Sequence, residues 1–161
     1  MIEGPLKEFA PMSVDWICKH HTDLGKDQLY AILQLRMQVL VVEQRYAYQD
    51  VDGQDLTDDT LHLMAWQDDQ LVAYLRLLDP QSQGGDVVIG RMVTSPEARE
   101  LALEEHLLLK GLEAAEHCWP GVPVYLSAQA HLQGFYARHG FEVVGEEHLE
   151  DDIPHIGMRK G

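Results

Sequence analysis

The sequence predicts an α+β domain in which helices flank a mixed sheet. Three observations predict it. Strand-like and helix-like apolar patterns alternate at short spacing along 161 residues, a length that suits one domain with a real core. Two of the strand-like runs meet at a two-residue "DD" turn, which makes them a hairpin. A longer helical pattern separates two further strands, as a crossover connection does, so hairpins and crossovers share one sheet.

In chain order, "MIEGPLKEFAPM" (1–12) has two prolines, a glycine and no apolar core. It reads as an N-terminal extension or expression arm, not a secretory signal, and the domain is expected to run from 13 to 161. "VDWICKH" (14–20) alternates as a strand does. Residues 26–44 place Leu29, Ile32, Leu33, Leu35, Val39 and Leu40 near helical spacing. Residues 45–59 form a long polar loop with a DG turn. Strands follow at 60–67, 70–78 and 87–95. A helix is expected from Pro96 to Cys118, with Ser95 as its N-cap and Glu97 in its first turn. "WPGVP" ends it. A buried strand at 124–129, a short helix at 131–139 capped by Gly140, and strands in "FEVVGEEHL" and "HIGMRK" complete the chain.

The formal net charge of −15 argues against nucleic acid, which needs a basic face, and against anionic membrane surfaces. It suits solubility and a cationic substrate such as an amine. No apolar run reaches the about 20 residues of a membrane span. Cys18 and Cys118 lack CxxC or zinc spacing and read as reduced, buried thiols of a cytoplasmic protein. His20 and His21 adjoin on a strand and would point to opposite faces, no HExxH is present, and no metal site is expected.

The runs "LQLRMQVLVVEQ", "YQDVDGQDL", "HLMAW", "VVIGRMVTSPEAR", "LSAQAHLQGFYARHGF" and "EDDIPHIGM" resemble the GNAT superfamily of acyl-CoA-dependent N-acetyltransferases, and within it the ElaA-like branch. The resemblance spans nearly the whole domain and implies a GNAT acyl-CoA N-acyltransferase-like fold with an acetyl-CoA site. It implies that Met92, Val93 and Thr94 pair with the pantetheine arm. It also implies a pyrophosphate cradle over Arg99, Glu100, Leu101, Ala102, Leu103 and Glu104. Family members carry Arg/Gln-x-x-Gly-x-Gly/Ala there. Arg99 matches, Ala102 replaces the first glycine, and Glu104 stands where Gly or Ala belongs.

Glu104 brings bulk and a negative charge toward a diphosphate. At about 4–5 Å and an effective dielectric near 20, one such repulsion is on the order of 3–4 kcal/mol. A side chain free to swing toward water reduces this to roughly 1–3 kcal/mol. Each 1.4 kcal/mol is about tenfold in affinity, so weak or lost acetyl-CoA binding is expected.

For chemistry, the resemblance implies Tyr136 as general acid toward the departing thiolate and the Val93 amide as oxyanion donor. Glu43, at the end of a helix, is the candidate for holding a cationic amine of a small molecule or protein. His62 sits in an apolar strand, where a hydrogen-bonded core histidine is the ordinary reading. His155 either reaches the substrate or closes the sheet. A second function class stays open: a non-catalytic protein-binding module, natural or engineered. It would present the 97–117 helix and the 44–49 loop to a protein partner through Tyr46, Tyr48, Leu101, Leu108 and Leu109. Arg45 would sit beside them.

Overall fold

The computed structural model describes residues 13–161; the arm expected at 1–12 lies outside them. One eight-stranded sheet is built from β1 (Asp15–His20), β2 (Leu61–Gln67), β3 (Gln70–Leu78), β4 (Val87–Thr94), β5 (Val124–Gln129), β6 (Glu142–Val143), β7 (His148–Glu150) and β8 (Ile153–Lys160). Its order is β1-β2-β3-β4-β5-β8-β6, with β7 also paired to β8. Every neighbouring pair is antiparallel except β4 and β5. The "DD" turn forms as expected: Asp68 and Asp69 have φ of 50° and 66°, the left-handed pair that matches the twist of a tight hairpin. The expected strand in "FEVVGEEHL" breaks in two, with positive-φ Gly145 (87°) in the gap.

Side-chain alternation assigns the two faces. Leu63, Ala65, Ala73, Leu75 and Leu77 join the larger core under α2 (Glu104–Cys118). Met64 and Tyr74 join Ile32 and Leu35 of α1 (Lys26–Arg36) in a smaller core. The two helices therefore cover opposite faces. On β4, Ile89 belongs to the first core and Val93 to the second. An even separation would keep both on one face. A bulge reverses the phase: Arg91 has φ of 53°, and the register with β3 shifts between Tyr74 and Arg76. Such an extra residue redirects every side chain after it.

Both long helices depart from their expected winding. α1 gives way at Met37 to a π-helix over Met37–Glu43, which keeps Val39 in the core while Leu40 faces the cleft described below. The helix expected from Pro96 is two elements. Ser95 caps only a 3₁₀ turn, Pro96–Leu101, by accepting from the Glu97 N–H. Ala102 then adopts a left-handed φ of 52° and ends that turn, its N–H donating to the Arg99 carbonyl at 3.0 Å. α2 starts afresh at Glu104.

Packing corrects other expectations. Leu108, assigned above to an exposed partner patch, is 0% exposed. The buried arc of α2 takes in Leu107, Leu108, Gly111 and Ala115 and is wider than a helical wheel allots. Leu101 packs against the same core, and Leu109 stays exposed. Cys18 and Cys118 are free as expected but exposed, not buried. His20 and His21 stack at 4.5 Å instead of opposing, because the strand ends at His20 and a 3₁₀ turn begins at His21.

Candidate active site

β4 and β5 share only two ladder pairs, Val87 with Val124 and Val88 with Tyr125. Beyond them the strands part, and their facing backbone groups are left to a ligand or to water. A cleft of about 740 Å³ opens at this point. It passes through the sheet: Tyr136 of α3 (Gln133–Ala137) belongs to the α2-side core yet lines it. Ser127, Gln129, Glu150 and His155 line it too. Gly90 keeps the β4 wall thin, since a Cβ there would meet nothing within 4 Å. An extended ligand bearing amide groups can dock along such a strand edge as an added strand would.

At one end of the cleft lies the start of α2. Its cap residue is Leu103, whose side chain accepts no hydrogen bond. The first-turn amides thus have neither an intrahelical acceptor nor a cap, at the positive end of a 15-residue helix. This suits a diphosphate. Ala102 keeps a left-handed turn usual for glycine, at a cost of roughly 1–2 kcal/mol. Glu104 does not suit a diphosphate: it lines the cleft, and Thr94 Oγ1 donates to its Oε2 at 3.4 Å. Arg99, the matching cradle residue, donates from Nη1 to Glu43 Oε2 at 2.6 Å and from Nη2 to the other carboxylate oxygen. The Arg99 hydrogen bond holds the Glu43 carboxyl below its usual range. Glu43 is thus paired on the surface, outside the cleft lining, instead of free for an amine. Glu100 is exposed, and Leu103 is buried.

The Tyr136 hydroxyl lies 3.7 Å from Met92 Sδ. The ring is held edge-on to Phe135 and Phe141. Burial raises its pKa, so the phenol keeps its proton at neutral pH. Tyr46 and Tyr48 are half-buried and line the cleft; they do not form an outward patch. The Tyr48 hydroxyl donates to Asp50 Oδ1 at 2.6 Å.

Beneath this wall lies a network that the sequence reading took for a polar loop. Arg36 donates to Asp50 Oδ2 at 2.8 Å and Asp55 Oδ1 at 2.6 Å. Arg76 donates to Asp52 at 2.9 Å and Asp55 at 3.0 Å. Arg91 pairs with Asp50 at 2.9 Å and Asp52 at 3.2 Å. Three cations meet three anions, so the cluster is neutral. It ties the loop after the π-helix to β3 and to the β4 bulge, and so fixes one lip of the cleft.

His62, fully buried, is the core histidine expected of its strand. Its Nε2–H donates to the Asp55 carbonyl at 2.9 Å, and Nδ1 accepts from the Tyr74 hydroxyl at 2.6 Å. Burial pushes its pKa down, against the pull of Asp55. The unfolded chain therefore takes up a proton that the fold refuses, so stability is full above about pH 6.5 and declines as pH falls below it. Burial works to raise the carboxyls of Asp52 and Asp55, but hydrogen bonds and charge from Arg76 and Arg36 respectively hold both low. Their contribution is present above about pH 4 and is lost as pH falls through the depressed folded values. The melting temperature is expected to hold from pH 8 to 7, decline from 6.5 to 5, and drop further below 4. In His62→Gln the first decline should disappear.

The far end of the cleft carries a polar row that sequence reading missed except for His155. His148 on β7 and Gln129 on β5 both stand opposite His155 on β8. Ser127 Oγ donates to Glu150 Oε2, which also faces His148 Nε2 at 2.6 Å. Glu150 draws the exposed His148 to a higher pKa. Among the described residues, no group of three or more His, Cys, Asp or Glu is arranged to hold a metal.

The family model described as acetyltransferase (GNAT) domain matches residues 32–161. Protein ElaA of Escherichia coli K12 is 50% identical over 147 residues, 91% of this chain and 96% of that one. A solved acyl-CoA N-acyltransferase from Pseudomonas aeruginosa is 61% identical, with a TM-score of 0.91 over 92% of this chain and 100% of that one. The crystal structure of Escherichia coli ElaA is 49% identical, with a TM-score of 0.87 over 92% and 99% of the two chains.

Proposed function

Because the chain belongs to the GNAT acetyltransferase family, we propose that it transfers an acyl group, acetyl in the first instance, from coenzyme A to a primary amine. The observation that carries this reading is the parting of β4 from β5 after two ladder pairs, with the Tyr136 hydroxyl in the wall of the opening. Met92, Val93 and Thr94 would meet the pantetheine arm, and the amides around Ala102 and Glu104 the diphosphate. The thioester supplies the activated acyl group. The amine attacks it directly, with no covalent enzyme intermediate. The Val93 amide, the oxyanion donor that the resemblance offers, is instead paired with Tyr74 of β3 and Val93 lies outside the cleft lining; Tyr136 gives its proton to the leaving sulfur. Glu104 opposes the diphosphate, and this protein is a weaker binder of acetyl-CoA than a glycine at that position would make it.

The binding-module reading has less support. Leu108 is buried, Tyr46 and Tyr48 belong to the cleft, Leu101 is half-buried against the core, and of the five residues Leu109 alone is exposed. The test is free-thiol release from acetyl-CoA in the presence of a panel of small amines, polyamines and peptides with free amino groups. Amine-dependent release supports transfer. Its absence across the panel, with acetyl-CoA bound, removes it.

A further inference from the structure

The geometry points to His155 as the base that takes the acceptor's proton, with Glu150 as the carboxylate that holds the ammonium beside it. This rests on the acyltransfer reading and adds the acceptor end to it.

The tautomer follows from one contact. His155 Nδ1 lies 2.8 Å from the Ile153 carbonyl oxygen. A carbonyl only accepts, so Nδ1 carries the hydrogen. In the neutral ring Nε2 is then a lone pair. Among the described residues no hydrogen bond or ion pair engages Nε2, and His155 lines the cleft. A histidine that merely closed the sheet would not need its second nitrogen left open on a ligand-sized opening.

The surroundings suit a cation. Glu150 and Asp151 line the same end of the cleft. Glu150 is steadied by Ser127 from β5 and by His148 from its own strand. Burial works to raise the Glu150 carboxyl, but these two hydrogen bonds hold it low, so it stays ionised at neutral pH. His148 of β7 stands opposite His155 in the ladder, and Glu150 of β7, Asp151 of the following turn and Arg138 from the end of α3 share the cleft lining with it. Arg138 lies over the Phe135 ring at 5.8 Å. Glu43, the sequence's candidate for the amine, is taken up by Arg99 and is not part of the cleft lining.

An ammonium loses one proton to His155 Nε2. Its freed lone pair forms the C–N bond to the thioester carbonyl carbon as the C–S bond breaks. Tyr136 gives its proton to sulfur. The nitrogen's second proton makes good the phenol, and His155 passes its proton to solvent. One thiol, one amide and one free proton result.

The test is His155→Asn, whose amide N–H can still reach the Ile153 carbonyl, together with Glu150→Gln. It uses the amine that turns over best in the thiol-release panel. For His155→Asn, kcat/KM at pH 7 should fall by about 100-fold, and the loss should shrink toward pH 9, where free amine is supplied by solution. Acetyl-CoA affinity should be unchanged. Glu150→Gln should raise KM for the amine more than it lowers kcat. If His155→Asn keeps the parent's rate and pH profile, the base assignment falls and acyltransfer stands. If the loss is the same at every pH, His155 positions the strand and is no base. If the parent itself releases no thiol with any amine, acyltransfer falls, and this inference with it.

Discussion

Asp55→Ala is expected to destabilise the protein by about 3–5 kcal/mol, the usual penalty for stranding a buried charge. Asp55 is 5% exposed and accepts from both Arg36, itself 0% exposed, and Arg76. Removing it leaves one positive charge in excess inside a cluster that is otherwise neutral. For a chain of this size that is a fall of about 10 °C or more in melting temperature. The matched control is Asp86→Ala, which breaks a surface pair with Arg159 at 3.1 Å. That change should cost less than about 1 kcal/mol. Thermal and urea unfolding of the two variants side by side measure the difference. Equal effects would mean that the network does not hold the lip of the cleft.

Tyr136→Phe is expected to lower kcat by about 100-fold or more while leaving stability and acetyl-CoA affinity nearly unchanged. The ring's edge contacts with Phe135 and Phe141 survive the change, and among the described residues the hydroxyl's hydrogen bond is a weak one to Met92 sulfur. What the variant loses is the proton donor for the leaving thiolate, a contribution of the usual acid-catalysis size. Steady-state kinetics beside a melting curve separates the two effects. A kcat within threefold of the parent would remove Tyr136 from the chemistry.

Local pattern carried most of the fold into view. Period-two runs placed the main strands, "DD" placed the hairpin, and His62 in an apolar strand announced a satisfied core histidine. The misses have physical causes. The Pro96–Cys118 pattern reads as one helix because Ala102 carries no local sign of a left-handed backbone; glycine would have announced it. The winding change at Met37 leaves no mark in a run of apolar residues. The network of Arg36, Arg76 and Arg91 with Asp50, Asp52 and Asp55 joins residues up to 41 positions apart, and charges that far apart in sequence announce no partner. The same holds for the acceptor end: Ser127, His148, Glu150 and His155 meet only through the pairing of β5, β7 and β8. Leu108 lies at the margin of the apolar arc on a helical wheel, and a wheel does not show how much of that margin the core covers.

Calorimetric titration of acetyl-CoA into the protein and into Glu104→Gly reads the cleft itself. One site per chain is expected in both, tighter by about tenfold or more in the variant. Absence of binding in both would contradict that expectation, since the cleft between β4 and β5 would then not be a coenzyme A site.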